Sequence, residues 1–210
     1  MVPKRGGDGS AQARLLAAGR MLFARLGYEQ ASTAAIAHEA GTSESQLVRH
    51  FGGKLGLLEA IFNDNWGPLN QRLGRIVGES VNAREAILNI LAAMIKTLGE
   101  DQELAYLLFF EGRRIRGPEH EVRLSQGFLE FVDLLRRLIR RGQKDGTFPE
   151  DLDETAVSSA LLGAAEAMIR DRILAERAGK ANPFSEKKIS RVFAAMLQGL
   201  SQAREVAPTS

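Results

Sequence analysis

Residues 33–54, TAAIAHEAGTSESQLVRHFGGK, restrict what this chain can fold into more than any other stretch. Ile36, Ala37 and Ala40 place small apolar groups on one side of a first short helix. Gly41 follows, the residue best able to take the positive φ that ends a helix. Ser43 is placed to cap a second helix, which turns Leu47 and Phe51 inward. The outward positions of that helix are Glu44, Ser45, Gln46, Arg49 and His50. A short helix with Gln, Arg and His on its free face, held at an angle by a partner helix, is what reading a DNA major groove requires.

The segment upstream, SAQARLLAAGRMLFARLG at residues 10–27, supplies a third helix. Ser10 is the predicted N-cap and Gly27 the predicted stop. Leu15, Ala18, Leu22 and Leu26 recur at helical spacing, with Arg14, Arg20 and Arg25 on other faces. From Arg14 to Phe62 the chain resembles the TetR-type family of bacterial transcriptional regulators. The residues that carry the resemblance are Ala17–Ala18, Leu22–Phe23, Gly27, Thr33, Ile36–Ala37, Ala40–Gly41, Ser43, Leu47, His50–Phe51, Lys54 and Leu57–Leu58. Three positions depart from the family pattern. Val48 stands where a tyrosine that commonly contacts a phosphate is usual, Ser45 where glycine is common, and Leu55 where an acidic residue usually follows the lysine.

Net charge is only +2, but it is unevenly spread. Residues 1–54 hold seven Lys/Arg against four acids, a net +3, and the remainder holds 21 bases against 22 acids, a net −1. A basic end on a near-neutral body fits local phosphate contact, and ordinary surface charge is the alternative. There is no Cys, which excludes disulfides, thiolate metal sites and a cysteine nucleophile. His38, His50 and His120 lack ligand spacing, so no metal and no cofactor are expected. The first residues are polar, unlike a signal peptide, and no apolar run reaches the length of a membrane span. A cytoplasmic protein without a membrane partner is expected.

The rest of the chain is a series of helix patterns broken by Gly and Pro. Residues 1–9 are read as a disordered arm whose Lys4 and Arg5 either touch DNA or hang free, 10–54 as the DNA-binding domain, and 55–205 as a larger helical domain. Pro68 predicts a kink or break at residues 64–68. Asn82 and Glu85 form a capping-box-like start to a helix through about residue 98. Residues 102–115 follow, with Leu104, Leu107, Leu108 and Ile115 on one stripe. After Gly117–Pro118 a long helix runs through about residue 142, and Asp145–Gly146 signals a turn. Asp153 and Ser185 are predicted to cap two C-terminal helices. With no β-period segment, the fold is predicted to be all-α, with nine or so helices.

Within the helix pair, Gln46 and Arg49 are the candidate base readers, since Gln pairs with adenine and Arg with guanine; phosphate alone is the alternative for Arg49. Lys54 reads as a phosphate clamp, and Thr33 as a cap whose helix start favours an anion. Thr42, Ser43 and His50 complete the candidate DNA contacts. GGKLG at residues 52–56 is not a P-loop, because that spacing needs Gly where Val48 stands and the segment follows a helix.

The resemblance implies a small-molecule pocket in the second domain, for which Phe62, Trp66, Leu107, Phe110, Phe128 and Phe131 are the candidate lining; plain core is the alternative for each. Glu111 and Glu166 are candidate anchors there, or partners of Arg114 and Arg170. Arg113, Arg114 and Arg116 either meet an acidic head group or face solvent. The mostly apolar lining implies an apolar or amphipathic effector. The resemblance also implies a homodimer joined through the two C-terminal helices. Its candidate contacts are Ala156, Ala160, Gly163 and Ala164 on the first, and Ile189, Val192, Phe193 and Met196 on the second. The implied function is a ligand-responsive repressor that binds an inverted-repeat DNA operator as a dimer. Two rivals stay open: a helical small-molecule-binding protein with a degenerate DNA-reading helix, and an enzyme on a helical bundle. The chain shows no paired acid-base motif for the second.

Overall fold

A computed structural model describes residues 7–111 and 125–202, and every regular element among them is helical. The elements are α1 (Gly7–Leu26), α2 (Thr33–Glu39), α3 (Glu44–Phe51), α4 (Lys54–Glu79), α5 (Ala83–Glu100), α6 (Gln102–Tyr106), α7 (Gln126–Lys144), α8 (Glu154–Arg177) and α9 (Glu186–Gln202). They divide into two compact units. One lies within Met1–Pro68 and Asp101–Gly127, the other within Leu69–Glu100 and Phe128–Ser210. The contacts divide at Pro68, so the first half of α4 and all of α6 pack with the N-terminal helices. No helix among the described residues is long and apolar enough to cross a membrane.

In the first unit, Leu15 and Phe23 of α1, Ile36 of α2, Leu47 of α3 and Leu57, Leu58 and Ile61 of α4 are fully buried. α1 starts at Gly7, so Ser10 lies inside it instead of capping it. Lys4 and Arg5 lie outside the described residues. α1 ends as predicted, with Gly27 at φ 79° and its N–H donating to the Phe23 carbonyl at 3.0 Å. Arg20 of α1 pairs with Asp101, and with Glu103 at 3.4 Å. Asp101 also accepts from the Leu104 N–H at 3.0 Å, capping α6. α6 then widens into a π turn, Leu107–Glu111, in which Leu107 and Glu111 are buried. The stripe expected over 102–115 is therefore not one α-helix, and Arg113, Arg114, Ile115, Arg116 and Gly117–Pro118 lie outside the described residues.

α4 stays helical across Pro68, so of the expected kink or break the break does not occur. Proline there removes one ladder bond, but Trp66, Leu69 and Leu73 on the flanking turns are all buried. Burial of those three side chains outweighs one lost hydrogen bond.

In the second unit α5 packs on α9, and α9 also meets α8. Asn82 accepts from the Glu85 N–H at 2.9 Å, and Glu85 reaches back to the Val81 N–H at 3.1 Å. Asp153 accepts from the Ala156 N–H at 2.6 Å and Ser185 from the Lys188 N–H at 3.4 Å, as their sequence positions predict. The core holds Ile87, Ile90, Ile95, Leu138, Phe148 and Leu161 with the buried residues of α9. Those α9 residues are Ile189, Phe193 and Leu197, at 0%, 2% and 0% exposure. This corrects the assignment of Ile189 and Phe193 to a dimer contact, since a side chain enclosed by its own chain has no surface to offer a partner. Val192 is 40% exposed and Met196 half-buried. On α8, Ala156, Ala160 and Gly163 are exposed and Ala164 is half-buried.

Candidate DNA interface

The seven candidate DNA contacts, Thr33, Thr42, Ser43, Gln46, Arg49, His50 and Lys54, all fall on α2, the α2–α3 turn, α3 and the start of α4, within the first unit. The α2–α3 turn is built as its residue types require. Gly41 takes φ 59°, its N–H meets the His38 carbonyl at 3.0 Å, and the Thr42 N–H meets the Ala37 carbonyl at 2.9 Å. Arg14 of α1 donates from Nε to the Ala40 carbonyl at 2.8 Å, which closes the end of α2. Ser43 is extended at φ −114° and ψ 156°, and its Oγ accepts from the Gln46 N–H at 3.4 Å.

α3 is thus started by a side-chain cap and ended by Gly52 in the left-handed region at φ 71°. Leu47 faces fully inward. Glu44, Ser45, Val48 and Arg49 are exposed, and Gln46 and His50 are half-buried. Arg49 and Ser45, four residues apart, lie on one outward line, and Gln46 flanks it. The arrangement presents the Arg49 guanidinium, a group able to read a guanine edge, on a helix fixed at both ends, whereas the Gln46 side chain is half-buried with its Oε1 enclosed.

Two expected roles change. Ser32, not Thr33, caps α2: its Oγ accepts from the Ala35 N–H at 3.1 Å. Thr33 instead donates from Oγ1 to a Glu44 carboxylate oxygen at 2.5 Å, tying the starts of α2 and α3 together. Two adjacent hydroxyl residues made the cap ambiguous by one position. Lys54 is not a free clamp. Its Nζ donates to the Tyr28 carbonyl at 2.7 Å and the Glu29 carbonyl at 3.3 Å, and lies 4.4 Å from the centre of the Tyr28 ring. It fastens the start of α4 to the α1–α2 loop. Lys54→Met is therefore expected to destabilise the protein by about 1–2 kcal/mol, from lost charge-assisted bonds and a cation–π contact. Thermal unfolding checks this. A lysine that only touched phosphate would leave the melting temperature unchanged and alter only the salt dependence of DNA binding.

Val48, which is not among the candidate contacts read from the sequence, is open on α3. It is 54% exposed on α3, among the few large apolar side chains left open. Its departure from the usual tyrosine was the available signal.

The candidate effector lining is not gathered into one unit. Phe62, Trp66, Leu107 and Phe110 belong to the first, and Phe128 and Phe131 to the second. Phe62, Trp66, Leu107 and Phe131 are buried, and Phe110 stacks on Tyr106 at 4.8 Å. An open cleft in the second unit has a different character: Val81, Arg137, Arg140, Arg141, Lys144 and Asp145 line it. Of the candidate anchor pairs, Arg114 lies outside the described residues, and Arg170 pairs with Asp171 at 3.7 Å.

Comparison with known proteins adds to this geometry. Residues 15–61 match the model of bacterial regulatory proteins of the tetR family, and residues 62–207 match the C-terminal region of YsiA-like proteins. The nucleoid occlusion factor SlmA of Vibrio cholerae is 30% identical over 159 residues, which are 72% of this chain and 78% of that protein. The fatty acid metabolism regulator protein of Bacillus subtilis is 22% identical over 142 residues, 68% of this chain and 73% of that protein. Among solved structures, the fatty acid degradation regulator FadR of Bacillus halodurans superposes with a TM-score of 0.76 at 19% identity, covering 98% of this chain and 100% of that one. FadR of Bacillus subtilis in complex with stearoyl-CoA gives 0.76 at 18% identity, covering 90% and 97%.

Proposed function

Since this chain belongs to the tetR family of bacterial regulatory proteins, we propose that it is a repressor that binds an inverted-repeat operator as a homodimer. It is a ligand-responsive, DNA-binding transcriptional regulator, and it acts on DNA in the cytoplasm without catalysing a reaction. The observation that carries the DNA reading is α3 itself: capped by Ser43, closed by Gly52, with Arg49 exposed on its outer side. Two copies related by a two-fold axis would present two such helices to successive major grooves, and a two-fold protein selects a two-fold site.

The effector is a small apolar or amphipathic molecule, with an acyl chain the first class to test. The relative named for fatty acid metabolism and the similar structure solved with stearoyl-CoA support this. The chain passes between its two compact units at residues 68–69, 100–101 and 127–128, and the first of these crossings lies inside α4, so a change in the second unit has a helical route to the first. The effector acts only as far as it binds one arrangement of the protein better than the other.

Selection of bound sequences from random DNA tests the reading, followed by affinity measurements on the selected duplex. Arg49→Ala is expected to lose about 1–3 kcal/mol at one base position in each half-site, with little change on duplexes altered elsewhere. A protein with no preference for any duplex over competitor DNA at moderate salt is not a regulator of this kind. Acyl compounds that shift neither the melting temperature nor operator affinity would remove that effector class.

A further inference from the structure

The exposed face of α3 contains one group that neither phosphate contact nor hydrogen-bonded base readout uses. Val48 is 54% exposed there, whereas the other apolar residues of the helix, Leu47 and Phe51, are buried and half-buried. Helical spacing puts Val48 three residues past Ser45 and beside Arg49, so the three make one continuous patch. The polar neighbours on the early part of that patch are already engaged. Glu44 accepts from the Thr33 hydroxyl at 2.5 Å, and the Ser45 hydroxyl lies 2.8 Å from that of Ser43. An isopropyl group on a DNA-reading helix can neither donate nor accept. The one feature of the major groove that it complements is the C5-methyl group of thymine.

We infer that Val48 is a specificity-determining residue that selects thymine, at the position next to the base read by Arg49, by packing against its methyl group. The inference rests on the DNA reading proposed above and deepens it. An exposed valine in water is an ordinary surface feature. Closed against a methyl group, it removes apolar area from water on both partners. Only a base carrying that methyl gains from the contact, so the discrimination is against cytosine and also against uracil, which pairs identically but lacks the group.

The experiment uses the full-length protein and the operator selected from random DNA, with each thymine replaced in turn by deoxyuridine. For the wild-type protein, loss of one methyl at one symmetric position in each half-site is expected to weaken binding about fourfold per half-site, corresponding to about 0.8 kcal/mol. Val48→Ala is expected to bind the thymine operator more weakly and to lose most of the sensitivity to deoxyuridine at that position alone. Val48→Thr, which keeps one methyl, is expected to retain it. None of the three should melt markedly lower than the others, since the side chain is largely exposed and alanine is the better helix former. If wild type and Val48→Ala respond equally to every replacement, the inference is overturned while the regulator reading stands. If no duplex is preferred at all, both fall.

Discussion

Gly56→Ala is expected to lower specific DNA affinity at least tenfold, although alanine is the better helix former. A Cβ at Gly56 would lie 1.7 Å from the Phe51 carbonyl oxygen and 2.9 Å from its carbon. Phe51 is the last residue of α3, and Gly56 sits in the first turn of α4. The clashing atoms are backbone, so no side chain can rotate away. Either the end of the DNA-reading helix or the start of α4 must move. The intrinsic gain of alanine over glycine is about 1 kcal/mol, against about 1–3 kcal/mol for forcing a group into a packed site. Displacement of the reading helix by a fraction of an ångström loosens each base contact, and a loss of 1.4 kcal/mol is already tenfold. Gly74→Ala is the control on the same helix. Nothing lies within 4 Å of its added carbon, so the propensity gain should appear alone as a higher melting temperature with unchanged DNA binding. Operator titration and thermal unfolding of the two variants decide the matter. A Gly56→Ala protein that binds as tightly as wild type would mean that the α3–α4 junction does not set the position of α3.

The reasons why parts of this molecule were legible in its sequence lie in the range of the forces involved. The α2–α3 turn depends on Gly41 and Ser43, whose chemistry acts within four residues, and both do what their types require. The same holds for Asn82, Asp153 and Ser185. The anchoring role of Lys54 was not legible because its partners, the carbonyls of Tyr28 and Glu29, lie 26 and 25 residues away. At Pro68 the local rule about a missing N–H leaves kink and break open, and burial that only the tertiary structure reveals keeps the helix continuous. Arg20 gave no sign of bridging to Asp101, 81 residues on, and that pair brings α6 into the first unit. On α9 the apolar stripe was correctly seen as a buried face, but periodicity does not say what buries it. Ile189 and Phe193 are covered by their own chain, and the side left for another molecule is marked by Val192.

That correction sharpens the test of the proposed dimer. Ala160→Glu is expected to give monomers and to weaken operator binding about a hundredfold or more, the avidity lost when two half-sites are no longer engaged together. Ala156, Ala160 and Gly163 recur on one exposed side of α8, and Val192 is the exposed apolar residue of α9. Small side chains let helices of two subunits approach closely, which suits a four-helix contact. In the isolated chain a glutamate at 160 points into water and costs almost nothing. Between two subunits it meets its own copy across the symmetry axis, desolvated and without a counter-ion, at a cost of several kcal/mol. Ile189→Glu provides the contrast. It buries the same charge inside one subunit and should lower the melting temperature steeply whatever the oligomeric state. Sedimentation, thermal unfolding and operator titration on both variants separate loss of assembly from loss of fold. An Ala160→Glu protein that still sediments as a dimer and holds the operator with wild-type affinity would place the subunit contact on another face.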